Sequence, residues 1–184
     1  LSLSEAMTQG HDARLAPLVR ELMEQAGCAM ARIEMVAAVC GPGSFTGVRV
    51  GVAFAQGLAL ALDAAAGGVS TLEAMHDGVG APALALLPAR RRPPERSWWA
   101  QALDAEGRGR GEPEEADEAR LRELAQGAPR LLGAGFEDLA GLPPAVVARP
   151  SALRAARAAL AAIRRGETLH PARPVYARAP DAAP

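Results

Sequence analysis

The sequence predicts an α/β protein in which mixed sheets are flanked by helices. Three observations carry that reading: strand-like apolar runs alternate with helical ones, two of the helical stretches are long, and Gly-rich turns separate them. A chain of 184 residues is long enough to bury a real core, as one domain or as two small lobes sharing a core. Hydrophobic residues make up 49% of it and aromatics only 3%, so the core must be built from Ala, Leu and Val, which favours closely packed helices.

The elements follow in order. Leu15, Leu18, Val19, Leu22, Met23 and Ala26 recur at i, i+3, i+4, i+7, i+8 and i+11, which predicts an amphipathic helix over His11–Ala26 with Gly27 as its stop. Ile33 to Cys40 is a short apolar run bounded by charge and by Gly41-Pro42-Gly43, as expected of a buried strand. The next helix begins in GPGSFTG and runs to about Asp63. Its second half is apolar nearly all round, so it is expected to be enclosed on most sides.

Val69 fits a strand, and Ser70 with Glu73 forms a capping box opening a helix through Met75. Ala83–Leu87 and Ser97–Leu103 read as strands that pair across the loop Ala89 to Arg96. Residues 107–118 are polar, Gly-rich and acidic, and read as a surface loop leading into a helix over Ala119–Ala125. Arg130–Ala134 reads as a short strand. Ser151 caps a long helix through Arg165, with Leu153, Ala156, Leu160 and Ile163 as its expected buried stripe. The tail PVYARAP is expected to be extended along the surface.

Composition narrows the chemistry. The net charge is −1 and every basic residue is Arg, so there is no global pull toward nucleic acid and no catalytic lysine. Cys28 and Cys40 lack the CxxC spacing of a metal or redox pair and read as free thiols of a reducing compartment. No apolar run reaches membrane-spanning length without Gly or charge, and no signal-peptide pattern is present, which leads us to expect a cytosolic protein.

The most informative segment is GPGSFTGVRVGVAFAQG, residues 41–57. A Gly-rich turn between a strand and a helix can present backbone N–H groups to an anion, which makes Gly41, Gly43, Ser44 and Thr46 a candidate anion- or nucleotide-facing turn. It is not a Walker loop, which ends in GK[ST], and its spacing is not GxGxxG. The competing reading is packing: Gly47, Gly51 and Ala55 recur every four residues and let another backbone approach. Together with the preceding helix this outlines an oligomer interface of Leu15, Leu18, Val19, Leu22, Gly47, Val50, Gly51, Phe54 and Ala55, built as a four-helix bundle.

The run GPGSFTGVRVG with the AQGLAL helix, the upstream His11, Leu15, Pro17, Leu18 and Val19, the segment VSTLEAM (Val69 to Met75) and the late PVYAR (Pro174 to Arg178) occur here in the order in which they occur in the TsaB (YeaZ) family, which this sequence resembles from about Ser4 to Arg178. The resemblance implies an actin-like ATPase (ribonuclease H-like) fold, with residues 1–80 as an amino-terminal lobe and 81–184 as a smaller second lobe. It implies a non-catalytic scaffold in tRNA threonylcarbamoyladenosine formation. The implied partners are a TsaD-like catalytic subunit, to which the family is paralogous, and a TsaE-like ATPase. A homodimer is expected in isolation, and tRNA contact only through the complex. No tightly bound cofactor is implied, with ATP expected only at a partner interface. The family's usual opening β-hairpin has no counterpart here, and Leu1–Met7 resembles its third strand. Where relatives carry Asp-Ala-Arg, this chain has Pro88-Ala89-Arg90.

His11, His76 and His170 stand singly, without HxxxH or HExxH, so no metal site and no peptidase activity is expected. Ser44 lacks the G-x-S-x-G context of a nucleophile elbow and reads as a helix N-cap. Arg90, Arg91, Arg92 and Arg96 beside Trp98 and Trp99 form either an RNA grip or, as favoured here, a solvated hairpin loop with one Trp turned into the core. An alternative to the scaffold is a small-molecule kinase or ATPase using the Gly41–Gly47 turn.

Overall fold

The computed structural model describes residues 1–7, 10–78, 80–90 and 96–175. Arg91, Arg92 and the tail from Tyr176 onward therefore lie outside the described residues. Helix α1, His11–Ala26, ends at Gly27, whose φ of 60° is the left-handed conformation that closes a helix. Strand β1, Met35–Val39, leads through the glycine turn into α2, Phe45–Leu62, and back to β2, Ala65–Val69. β1 and β2 are parallel, in register from Met35 opposite Ala65 to Val39 opposite Val69. That connection forces α2 to lie across one face of the pair.

The two faces of this parallel pair are closed by different helices. Ala38 and Cys40 pack with Val52 and Ala55 of α2. Ala37 and Val39 point the other way, toward Ala155 and Ala159 of α4, which spans Ala152–Arg164. Thus α4, although late in the chain and within 81–184, packs on the first sheet. Its buried stripe is Ala155 and Ala159, not the expected set; Leu160 and Ile163 are exposed and Ala156 lies outside too. Only a methyl-sized side chain lets a helix approach two strands this closely, so the small residues take the contact.

The second sheet has five strands in the order β5-β4-β3-β6-β7. β3 (Ala83–Arg90) and β4 (Ser97–Leu103) form the expected antiparallel pair, with Leu86 opposite Ala100. The acidic stretch read as a loop is instead strand β5, Gly109–Ala116, followed by α3, Glu118–Ala125. It pairs on one side only, and Pro113 with Glu112, Glu114 and Glu115 is the composition of an edge kept from further pairing. β6, Leu131–Gly133, and β7, Ala145–Val147, run parallel to β3. Alternation divides the core: Leu84 and Leu86 face α3 and Leu121, while Ala83 and Ala85 face Met75 of the 3₁₀ turn Glu73–Met75 and Leu72 just before it. Glu73 secures that turn, accepting from the N–H of Ser70 and from the N–H of Gly109.

Two further expectations are corrected. Residues 1–7 form no strand, and Glu5 is held by Arg14 of α1. The enclosure expected for α2 also fails: only Val52, Ala55 and Ala59 are buried, and Leu60 is 84% exposed. One face of α2 meets β1, and its flank meets α1. Gln56 on α2 also donates to the Ala172 carbonyl at 2.7 Å, while Leu60 stays open.

Two predictions test this packing. At Gly133, φ is 138° and a Cβ would lie 2.0 Å from the Leu86 carbonyl oxygen, so Gly133→Ala should cost at least about 2 kcal/mol. Gly57 has open space around its Cβ position within α2, so Gly57→Ala should add roughly 0.5–1 kcal/mol. Thermal unfolding distinguishes the two directions. Arg96 donates to both carboxylate oxygens of Asp138, at 2.6 and 2.9 Å, and that hydrogen bonding holds the Asp138 carboxyl below its usual value. A depressed folded pKa stabilises above the unfolded value and loses that contribution as pH falls through the folded one. The stability difference between wild type and Asp138→Ala should therefore be present at neutral pH and vanish well below the ordinary Asp value of about 3.9.

Candidate functional site

The glycine turn is strapped from outside. The Gly41–Pro42 peptide is cis and both residues are buried. Thr71 N–H donates to the Gly41 carbonyl at 2.9 Å, and Val175 N–H donates to the Cys40 carbonyl at 2.8 Å. The returning tail passes so close that a Cβ on Gly41, whose φ is 112°, would lie 2.8 Å from the Val175 carbonyl oxygen. This glycine is therefore required by a chain crossing. Gly43, Ser44 and Thr46 remain exposed. Ser44 is the N-cap of α2, its Oγ accepting from Gly47 N–H at 3.3 Å. The hydroxyl is thus engaged with the helix end, and Arg49 stacks over the Phe45 ring at 3.8 Å in the first turn.

The residues expected at an interface divide into two groups. Ala55 is taken up by the chain's own core, 4% exposed. Gly47 and Gly51, with Leu15 and Val19 of α1, line a cavity of about 800 Å³ that opens beside β1 and reaches Trp99 and Ser151. Leu18, Leu22, Val50 and Phe54 are half-buried. Phe54 also joins Val19, Met30, Gly57 and Leu58 in a second groove of about 350 Å³ between α1 and α2, rimmed by Arg20. Met30, Gly57 and Leu58 were not singled out from the sequence. The spacing from Phe54 to Gly57 and Leu58, i+3 and i+4, carried the signal for two of them. Met30 lies in the connection after α1, and no periodicity marks it.

The other candidates resolve into structural roles. His76 is buried; its Nδ1 accepts from Gly78 N–H at 2.9 Å, and its Nε2 lies 3.3 Å from the Ala81 carbonyl oxygen. The backbone of His170 bridges to Gly68 of β2. His11 begins α1. Among the described residues no three His, Cys, Asp or Glu side chains are grouped closely enough to hold a metal. Cys28 is exposed, whereas Cys40 is buried and its thiol pKa is pushed up by that burial. Both tryptophans lie in the core, at 2% and 9% exposure, and Trp98 Nε1–H donates to the Gly135 carbonyl. Trp98 therefore offers no free face for stacking bases, Trp99 borders the cavity beside β1, and Arg96 is paired with Asp138 while lying 5.2 Å from the Trp98 ring.

Residues 4–92 match the family described as TsaD, tRNA N6-adenosine threonylcarbamoyltransferase. The tRNA threonylcarbamoyladenosine biosynthesis protein TsaB of Escherichia coli is 42% identical over 74 residues, and that of Haemophilus influenzae 38% over 73. These matches span 32% and 31% of the two relatives' own lengths, so the chain matches about a third of each. An uncharacterized protein of Mycobacterium bovis is 32% identical over 177 residues, 96% of this chain and 79% of its own length. Among solved structures, an uncharacterized Pseudomonas aeruginosa protein with similarity to the peptidase YEAZ superposes with a TM-score of 0.76 at 30% identity, over 95% of this chain and 87% of that one. YeaZ from the same organism superposes at 0.72 and 28% identity, over 94% and 86%. The architecture is therefore the actin-like, ribonuclease H-like one, and the chain belongs to the TsaB (YeaZ) family.

Proposed function

We propose that this chain serves tRNA threonylcarbamoyladenosine biosynthesis as a non-catalytic assembly subunit, pairing with a TsaD-like catalytic subunit and working with a TsaE-like ATPase. The observation that carries the reading is the uncovered apolar surface of the α1–α2 pair, where Phe54, Leu58 and Val19 line an open groove and Leu60 is almost fully exposed. An open apolar groove of this kind on a globular chain marks an interaction site. It lies within residues 4–92, the stretch matched to the TsaD family, which favours a related helix pair as the opposing surface. The isolated chain would use the same surface to form a homodimer. ATP would bind only where a partner completes a site, because the α2 N-terminus is capped by Ser44 and the turn before it is strapped by Val175. Transfer RNA would be reached through the assembled complex, in the cytosol.

Phe54 is a half-buried aromatic at the centre of the groove, the type of residue that dominates association energy. Phe54→Asp should weaken pairing with the TsaD-like subunit at least about 30-fold, equivalent to about 2 kcal/mol, while leaving the far-ultraviolet dichroism unchanged. Analytical ultracentrifugation of the mixed subunits measures this, and unaltered affinity would refute the assignment. Ser44→Ala should leave threonylcarbamoyl transfer by the reconstituted subunits within about 2-fold, because the loss of one N-cap costs only about 1 kcal/mol of helix stability. A drop of a hundredfold, or steady ATP turnover by the isolated chain that this substitution abolishes, would favour the kinase or ATPase alternative.

A further inference from the structure

Charge is spread unevenly over this chain. Residues 112–123, which take in most of β5 and α3, hold six carboxylates, Glu112, Glu114, Glu115, Asp117, Glu118 and Glu123, against two arginines. Both arginines are neutralised on the spot: Arg120 pairs with Glu114 and Glu123, and Arg122 with Glu118. Residues 139–166, which contain β7 and α4, show the reverse, with five arginines and no Asp or Glu. Of these, Arg165 reaches forward to Glu167, and Arg154 donates to the carbonyls of Met75 and Arg149. The side chains of Arg149, Arg157 and Arg164 are exposed and have no ion pair among the described residues.

Helix geometry turns two of these arginines to solvent. Ala155 and Ala159 hold α4 against the first sheet. At about 100° per residue, Arg157 lies about 200° and Arg164 about 180° round the helix from Ala155, so both stand on the side opposite the strands. They are separated by about 10 Å along the axis. Ala161 stands beside them and is small, so both guanidinium arms can reach a common surface. Helix stability does not account for the arrangement. Arg164 in the last turn suits the negative end of the helix. Arg157, however, is in the middle of α4, and Arg149 precedes its positive end, where a cation is disfavoured. The carboxylates three or four residues away that support α3 have no counterpart on α4.

We propose that the outward face of α4, Arg157 and Arg164 with Arg149 just ahead of the helix, is a contact surface for the phosphate backbone of an RNA. The choice of RNA among polyanions rests on the function proposed above. Guanidinium groups meet phosphate through charge-assisted, two-pronged hydrogen bonds. No aromatic residue on α4 can stack on a base, so the contact is with the backbone and is independent of sequence. A lipid surface is a poorer occupant, because the apolar side of α4 is packed on the sheet and cannot enter a bilayer. The acidic edge of a second copy is also a weaker match, since Glu114, Glu118 and Glu123 already hold Arg120 and Arg122.

The full 184-residue chain is titrated against a fluorescein-labelled tRNA transcript, following anisotropy, from about 50 to 200 mM KCl. Three phosphate contacts, at about 0.7–0.9 each, give a slope of log affinity on log salt of about −2 to −3. Arg157→Gln and Arg164→Gln should each flatten that slope by about 1 and weaken binding at low salt at least about threefold. Arg110→Gln, which removes the same charge from an exposed position on β5, should leave the slope unchanged. On the native chain, RNA should protect Arg157 and Arg164, and not Arg110, from phenylglyoxal; that comparison decides if a substitution unfolds the chain. Absence of saturable binding at low salt, an equal loss with Arg110→Gln, or equal affinity for polyglutamate of the same charge would overturn the proposal. Equal binding to anionic lipid vesicles would overturn it in favour of a membrane surface. Salt-sensitive self-association without RNA, abolished by Arg157→Gln, would do so in favour of a second copy. Phe54→Asp should leave RNA binding by the isolated chain unchanged, so loss of subunit pairing and loss of RNA contact are read separately.

Discussion

Two helices press on the β1–β2 pair from opposite sides, and they can do so because the residues between them are small. Ala38 and Ala55 meet on one face, and Ala37, Ala155 and Ala159 meet on the other. Gly67 and Gly68 of β2 admit Leu169 and the 170–171 backbone against their positions. Dispersion contacts fall off steeply with separation, so a core made of methyl groups is cohesive only if backbones come close. That requirement places α4 on the first sheet, although eighteen residues of loop, turn and β7 follow β6 before α4 begins at Ala152.

The same geometry explains why the surface of the first sheet's helices is apolar. Small residues occupy the inner faces of α2 and α4, and the larger ones, Phe54, Leu58, Leu60, Leu160 and Ile163, are left on the outer or lateral faces. The second sheet differs. Trp98, Leu86, Leu121 and Phe136 fill the space beneath α3, and its outer strand β5 is acidic. One end of the molecule is therefore finished by its own side chains, and the other exposes apolar helix surface of the kind that partners cover.

The glycine turn illustrates how one motif can serve packing and position at once. Gly41 admits the returning tail, Ser44 starts α2, and Gly47 and Gly51 hold open the space beside β1. An isolated Gly-rich turn before a helix is compatible with anion binding. Here the Ser44 hydroxyl takes the Gly47 N–H, and the crossing tail bonds the Cys40 carbonyl.

Local sequence determined most of the elements of this protein, because their signals are local. The i, i+3, i+4 spacing of Leu15, Leu18, Val19 and Leu22 defines α1, Gly27 ends it, Ser44 and Ser151 begin α2 and α4, and the apolar run before Gly41 is β1. The glycine motif and its neighbouring islands carried the family and with it the fold. Tertiary structure alone decided the rest. β5 is a strand because β4 offers it a ladder, a nonlocal gain that no feature of an acidic, Gly-rich sequence announces; β7 is three exposed residues held only by β6. Which stripe of α4 is buried depended on how closely the helix could approach the sheet, and that favoured Ala155 and Ala159 over Leu160 and Ile163. That Gly47 and Gly51 line the cavity beside β1 was likewise open in the sequence, since periodicity specifies which residues share a helix face but not what that face will meet.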